Sequence, residues 1–162
     1  MPVWVDDSDV RKKWAIRFKR MEDFRPVFRW ARDIMERANR LNFSTKGTFS
    51  SSPWPPLDPE YGAWKILNRG PRPLMVDTMK LKLSLIALRG SPNEIGLKSA
   101  RFGTNVPYAK WHQSGTRKMP RRQIVFVPPL FAQRLALETL SHIIYGKLGA
   151  AGAAIGFLKK AF

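Results

Sequence analysis

The residues best equipped for chemistry or contact lie together in Tyr108-Ala109-Lys110-Trp111-His112-Gln113-Ser114-Gly115-Thr116, continued by Arg117-Lys118-Met119-Pro120-Arg121-Arg122. The stretch holds two aromatics, an imidazole, an amide, a turn glycine and a basic run. It has no nucleophile paired with a base, no metal cage and no phosphate-cradling loop. Such a mixture suits a contact surface. Tyr108 and Trp111 can stack, His112 and Gln113 can exchange hydrogen bonds, and Arg117, Lys118, Arg121 and Arg122 can meet an anion. The same composition would also serve a loop whose two aromatics simply anchor it to the core.

Nothing elsewhere adds a reactive centre. His142 falls in a different element from His112, neither has a carboxylate at metal-ligand spacing, and the chain has no cysteine. No metal, cofactor, disulfide or thiol chemistry is therefore expected. No G-x-S-x-G, Walker-type loop or paired-carboxylate motif occurs in a credible strand–turn–helix setting, so the chain reads as a protein that is not an enzyme.

Charge is the strongest bulk signal. There are 29 Lys and Arg against 12 Asp and Glu, a formal net charge of +17 with a pI near 11.0. After Glu60 the only acidic residues are Asp77, Glu94 and Glu138, while basic residues continue throughout. This imbalance implies a polyanionic or acidic partner and says nothing about fold. Lys and Arg contacts to phosphate, with Trp111 or Tyr108 stacked on a base, would make an autonomous nucleic-acid-binding module, although no recognition module of defined spacing is present.

The elements that must position these residues follow from periodicity. A length of 162 residues suits one domain, expected over residues 1–147. Pro2 to Val5 reads as a short strand, and Asp6, Asp7 and Ser8 supply cap chemistry for a helix. In it Val10, Trp14, Phe18 and Met21 share one face, which is expected to pack on its own domain. Asp23 caps a second helix that runs to Asn42, with Phe24, Val27, Phe28, Ala31, Ile34, Met35, Ala38 and Leu41 as its apolar stripe. Residues 44–59 are rich in Ser, Thr, Gly and Pro and read as a long mobile loop. Trp54 within it either pins the loop to the body or waits for a partner.

Tyr61, Trp64, Ile66 and Leu67 suggest one or two helical turns closed by Gly70-Pro71. Leu81, Leu83 and Leu85 alternate in a strand-like period; Gly90 to Asn93 forms a turn; and Glu94 to Phe102 returns as a hairpin partner with Ile95 and Leu97 inward. Gln123 to Val127 is a further β-branched strand, and Leu130 to Lys147 the last helix. The fold class is thus α+β: an antiparallel sheet packed against two N-terminal helices and one C-terminal helix. The Gly- and Ala-rich tail 148–162 reads as flexible, with an apolar end able to dock on another subunit. The acidic N-terminus gives no secretory signal, and no stretch is apolar for long enough to span a membrane.

Several pieces, in order, resemble the bacteriophage virion-morphogenesis family, the tail-completion proteins of contractile- and flexible-tailed phages. They are Trp54-Pro55-Pro56-Leu57 with Tyr61 and Lys65, then Leu74, Asp77-Thr78, Leu81 and Ser84-Leu85, then Tyr108-Ala109-x-x-His112-Gln113-x-Gly115 leading to Met119-Pro120-x-Arg122. The resemblance covers about residues 3–145. Two departures stand out: Met79 replaces the usual Gly after the Thr, and Gln123-Ile124 replaces the usual Pro-Phe.

The resemblance implies a non-catalytic structural protein of the virion neck or tail end, made in the host cytoplasm. It would complete the tail or join head to tail as a ring, a hexamer, around the DNA passage. Its partners would be copies of itself, neighbouring connector and tail proteins, and packaged DNA through non-specific phosphate contacts. Tyr108, Trp111, His112, Gln113, Gly115 and Trp54 are the expected subunit-contact residues. Arg117, Lys118, Arg121 and Arg122 are the expected residues of the DNA path or an acidic partner. Within this set His112 and Gln113 read as residues that hold a loop in shape, and Trp111 and the arginines as the outward contacts.

Overall fold

The computed structural model describes residues 6–90 and 92–149; the strand expected at Pro2–Val5 and the tail beyond residue 149 lie outside them. In chain order the elements are α1 (Ser8–Arg20), α2 (Arg25–Ser44), a 3-10 turn (Thr48–Ser50), α3 (Pro59–Arg69), α4 (Lys80–Ile86), β1 (Glu94–Ile95), β2 (Ala100–Arg101), α5 (Ala109–Ser114) and α6 (Phe131–Tyr145). Six helices and a small two-stranded antiparallel sheet make the described residues 52% helical and broadly α+β. None of these helices is long and apolar enough to cross a membrane. Contacts divide the chain into two compact units: residues up to 31 with 95–100 and those from 130 on, and residues 32–94 with 101–129.

In the first unit α1 packs against α6. The Arg20 guanidinium donates to the carbonyls of Ile143 (3.1 Å) and Ile144 (2.8 Å), so a cation satisfies two of the acceptors that the end of α6 leaves open. His142 is buried, with Nε2 2.8 Å from the Asp23 carbonyl and 3.2 Å from that of Arg20. Carbonyls only accept, so Nε2 carries the proton. Asp23 accepts from the backbone N–H of Arg25 as the cap of α2, and the Arg25 guanidinium beside it lowers its carboxyl to about 2.

The expectation for α1 needs correction. It does meet α6, but not through the face read from periodicity: it has no buried residue, Val10, Trp14 and Phe18 are all exposed, and Met21 lies just past its end. The Arg17 guanidinium lies over the Trp14 ring, 5.1 Å from its centroid. Periodicity fixes which residues share a face, not whether anything covers it.

The second unit is built around Phe43, Trp54, Val76, Leu81, Leu85, Val106, Ala109 and Ile124. The last turns of α2 enter it through Ala38, Asn39, Asn42 and Phe43, whereas Leu41, expected in the stripe, is exposed. The strand expected at residues 81–87 is the helix α4. Leu81 and Leu85, four apart, are its buried pair, and Leu83 is exposed. Side chains of α2 hold its C-terminal end: the Asn39 amide donates to the Leu85 carbonyl (2.7 Å) and Glu36 accepts from the Leu88 N–H (2.9 Å). Lys and Leu are good helix formers, and with the C-terminal end held, seven residues suffice. Met79 opens α4 at φ 64°, a left-handed turn that Gly would adopt without strain.

Glu94 to Phe102 is not a single strand returning to residues 81–87, which are helical; it folds on itself, β1 pairing with β2 around a turn closed by Gly96 and Ser99, and Leu97, expected inward, is exposed. Residues 123–127, expected as a strand, form an extended run with alternating burial that pairs with no strand among the described residues. The loop 44–59 is also not free. Trp54 is 5% exposed, meets the Phe43 ring edge-on at 5.2 Å, and donates from Nε1 to the Gln123 carbonyl (2.9 Å). Gly47 at φ 90° lets the loop close: a Cβ there would sit 2.4 Å from the Ser52 carbonyl and 2.5 Å from the Trp54 ring.

Candidate functional site

The stretch expected to be loop-like starts as a helix. Tyr108 leads into α5, Ala109 is buried, and Gly115 ends it at φ 77°, where a Cβ would approach the Arg121 backbone N to 3.0 Å. Thr116 and Met119 then exchange backbone hydrogen bonds of 2.8 and 3.2 Å. Arg117 and Lys118 are therefore thrown to the exposed tip of a tight turn.

Gln113 completes the missing sheet. Its Oε1 accepts from the N–H groups of Ile124 (3.0 Å) and Val125 (2.9 Å), and its Nε2 donates to the Val125 carbonyl (2.8 Å). One side-chain amide thus takes the place of a neighbouring strand's peptide, which explains an extended, β-branched run without a sheet. The chain is further tied down by the Arg122 N–H, which donates to the His112 carbonyl at 2.7 Å.

The ten expected contact residues separate into three groups. Trp111 (48% exposed), Arg117, Lys118 and Arg121 face solvent, with the Lys110 ammonium 5.4 Å from the centre of the Trp111 ring. Trp54, Gln113 and Gly115 hold the local structure, and the burial of Trp54 selects the pinning role over waiting for a partner. Tyr108, His112 and Arg122 line a pocket. Arg122 does not point outward as expected: it is 3% exposed, and its guanidinium donates to the carbonyls of Pro55 (2.9 Å) and Pro56 (2.7 Å).

That pocket, of about 540 Å³, draws its wall from four separate segments. Leu57, Tyr61 and Lys65 come from the approach to α3 and from α3 itself. Asp77, Thr78 and Leu81 come from the start of α4, with Met75 and Met79 beside them. Tyr108 and His112 come from α5, and Lys118, Met119, Pro120 and Arg122 from the turn. Asp58 caps α3 by accepting from Glu60 (3.0 Å) and Tyr61 (3.3 Å), and Pro59 at the first helical position needs no partner. These local signals aim α3 so that Lys65 turns inward.

His112 meets Tyr108 edge-on at 6.1 Å, and its Nδ1 is buried without a hydrogen-bond partner. Burial, reinforced by the nearby Arg122 charge, lowers its pKa below 6.5. The unfolded chain therefore takes up the proton first, and stability is lost as pH falls through 6.5 toward the folded value. Replacing His112 with Gln should flatten the urea-unfolding midpoint between pH 7.5 and 5 relative to wild type; an unchanged slope would contradict this origin.

Inspection of the sequence missed Lys65, Asp77, Met75 and Met79 as site residues. Lys65 and Asp77 stand out in the sequence only among the pieces that carry the resemblance. It also missed a second exposed aromatic face, on α3, where Tyr61 stacks on Trp64 (5.8 Å, 20°) and Leu67 is 85% exposed. Among the described residues no group of three His, Asp or Glu could hold a metal ion. No family model matches the chain, and comparison with characterised proteins and with solved structures likewise gives no match.

Proposed function

We propose that this chain is a non-catalytic structural subunit of a bacteriophage particle, resident at the neck or tail end, where it completes the tail or joins head to tail as a hexameric ring around the DNA passage. One observation carries the reading. Eleven residues of the family pattern, scattered from Leu57 to Arg122 in sequence, line a single pocket, while Trp54, Leu74, Ser84-Leu85, Gln113 and Gly115 lie outside its wall. A chance scatter of short matches has no reason to converge in space. Met79 adds to this by adopting the left-handed backbone of the glycine it replaces.

Two further features fit a protein that functions in an assembly. Val10, Trp14 and Phe18 on α1, and Tyr61, Trp64 and Leu67 on α3, leave large apolar side chains uncovered, as subunit interfaces do. The turn presents Arg117 and Lys118 at its tip, and the extended run after it presents Arg121, to an acidic neighbour or to DNA phosphates.

The test is the particle. Virions assembled without the protein should accumulate as separate filled heads and finished tails under the electron microscope; loss of tails altogether would move the role to tail assembly, and normal virions would refute it. Reversing Arg117 and Arg121 together to Glu should cut infectious yield by about tenfold or more, because rim charges then repel the partner they attract. Arg122 is left intact because it is buried.

A nucleic-acid-binding module is the second reading, favoured by the exposed Trp111 beside Lys110, Arg117, Lys118 and Arg121. It requires tight binding of the isolated protein to DNA, with affinity falling steeply as salt rises.

A further inference from the structure

Two cations are buried in the pocket wall of the second unit, and among the described residues neither forms an ion pair with a carboxylate. Lys65 is 5% exposed, and its ammonium donates to the Pro73 carbonyl at 3.1 Å. Arg122 rests on the Pro55 and Pro56 carbonyls. Carbonyl oxygens satisfy N–H donors but cancel little of the positive charge, which for Lys65 is offset only in part by the more distant Asp77, and a buried charge that is poorly compensated is costly. Burial lowers the pKa of both groups.

Neither carboxylate in the wall forms an ion pair with Lys65 or Arg122, although Asp77 acts on Lys65 from a distance and its Oδ1 lacks a hydrogen-bond partner. Asp58 is committed to the α3 cap, and Asp77 lies 3.8 Å from both Arg69 and Arg72. Lys80 and Lys118 add two more cations to the lining, and His112 adds a buried nitrogen without a partner. The remaining wall is apolar and adaptable, chiefly Met75, Met79, Tyr61 and Tyr108. The volume, about 540 Å³, falls in the range of sites that enclose a ligand.

We propose that this pocket binds an acidic–apolar peptide segment of a neighbouring protein subunit, an Asp or Glu carboxylate seated toward Lys65 and Arg122 with an adjacent bulky apolar side chain packed on the methionines. Charge complementarity identifies the anion, and the recess identifies its carrier. The phosphates of a duplex form a broad polar surface that leaves the apolar wall unused, whereas a peptide delivers one carboxylate and one apolar side chain together. The inference rests on the structural reading for its biological setting, naming the partner chemistry of that assembly.

The three methionines in the wall, Met75, Met79 and Met119, permit a direct test on the full chain, with Met21 and Met35 as controls outside it. Methyl-labelled protein would be titrated by NMR with an end-blocked Phe-Asp-Leu peptide, its Phe-Asn-Leu isostere and inorganic phosphate. The Asp peptide should shift the three wall methyls saturably, and the Asn isostere should bind about tenfold more weakly, the size of one charge-assisted hydrogen bond. Lys65→Met should lose the same factor, its folding being checked by unshifted Met21 and Met35 methyls. Should that variant not fold, Lys118→Gln on the exposed turn should weaken binding while leaving the fold intact. No response at the wall methyls, equal binding of the Asn isostere, or phosphate shifting the same methyls as strongly would each overturn the proposal. The measurement needs no particle, so its failure leaves the assembly reading standing, and normal virions in the absence of the protein would leave a pocket response intact.

Discussion

Trp54→Ala is expected to destabilise the protein by about 3–5 kcal/mol, the cost of removing a buried aromatic from a packed core, and to free the loop of residues 44–59. The ring is 5% exposed, meets Phe43 edge-on, lies against Gly47, and donates to the Gln123 carbonyl. Its own backbone N–H closes the loop on the Lys46 carbonyl at 2.8 Å. At about 2–4 °C per kcal/mol for a chain of this size, thermal unfolding should drop by roughly 10 °C. Trypsin should then cut after Lys46 in the variant under conditions where wild type resists.

Trp54→Phe separates packing from hydrogen bonding. The Gln123 carbonyl also accepts from the Asn42 amide at 3.2 Å, so losing the indole N–H does not orphan it. That variant should lose only about 1 kcal/mol, the net worth of one hydrogen bond, plus the smaller ring. If Trp54→Ala unfolded at the wild-type temperature and resisted trypsin at Lys46, the ring would not be the loop's anchor.

How far such features could be read from the sequence depends on the range of the interaction that fixes them. The helices α2, α3 and α6 carry their instructions locally, in spacing and in caps such as Asp23 and Asp58. The α4 segment does not. Leu81, Leu83 and Leu85 satisfy a period of two, while Leu81 and Leu85 satisfy a helix, and seven residues cannot decide between them. The choice is made by Glu36 and Asn39, more than 45 positions away in sequence.

The candidate site shows the same division. Arg121 and Arg122 are chemically identical and adjacent, so their sequence gives no reason to treat them differently. Successive residues of an extended chain point to opposite sides, and burial alternates along this run: Arg122, Ile124 and Phe126 inward, Arg121 and Val125 outward. Carrying the period of residues 123–127 back by two positions would have placed Arg122 inside. The pocket itself was beyond such reading, since its wall depends on α3, α4 and α5 meeting in space.

Gln113→Leu should be the second most damaging single change, because it removes three hydrogen bonds at once from an extended run that pairs with no strand among the described residues. Leu matches the volume of Gln, so packing is little altered and polar satisfaction alone is tested. The change strands the Ile124 and Val125 N–H groups and the Val125 carbonyl. Ile124 is fully buried, and an orphaned buried donor costs about 1–3 kcal/mol. Val125 is exposed and water can replace part of its pairing. The expected loss is therefore about 2–3 kcal/mol, read from urea unfolding, with faster amide exchange at Ile124 before any change at α2. Gln113→Glu keeps an acceptor for both N–H groups but faces the Val125 carbonyl with a second oxygen. It should fall between wild type and Leu at neutral pH and approach wild type as acid protonates the carboxyl, which then donates where the amide did. Wild-type stability for both variants would mean that Ile124 and Val125 are held by something other than this amide.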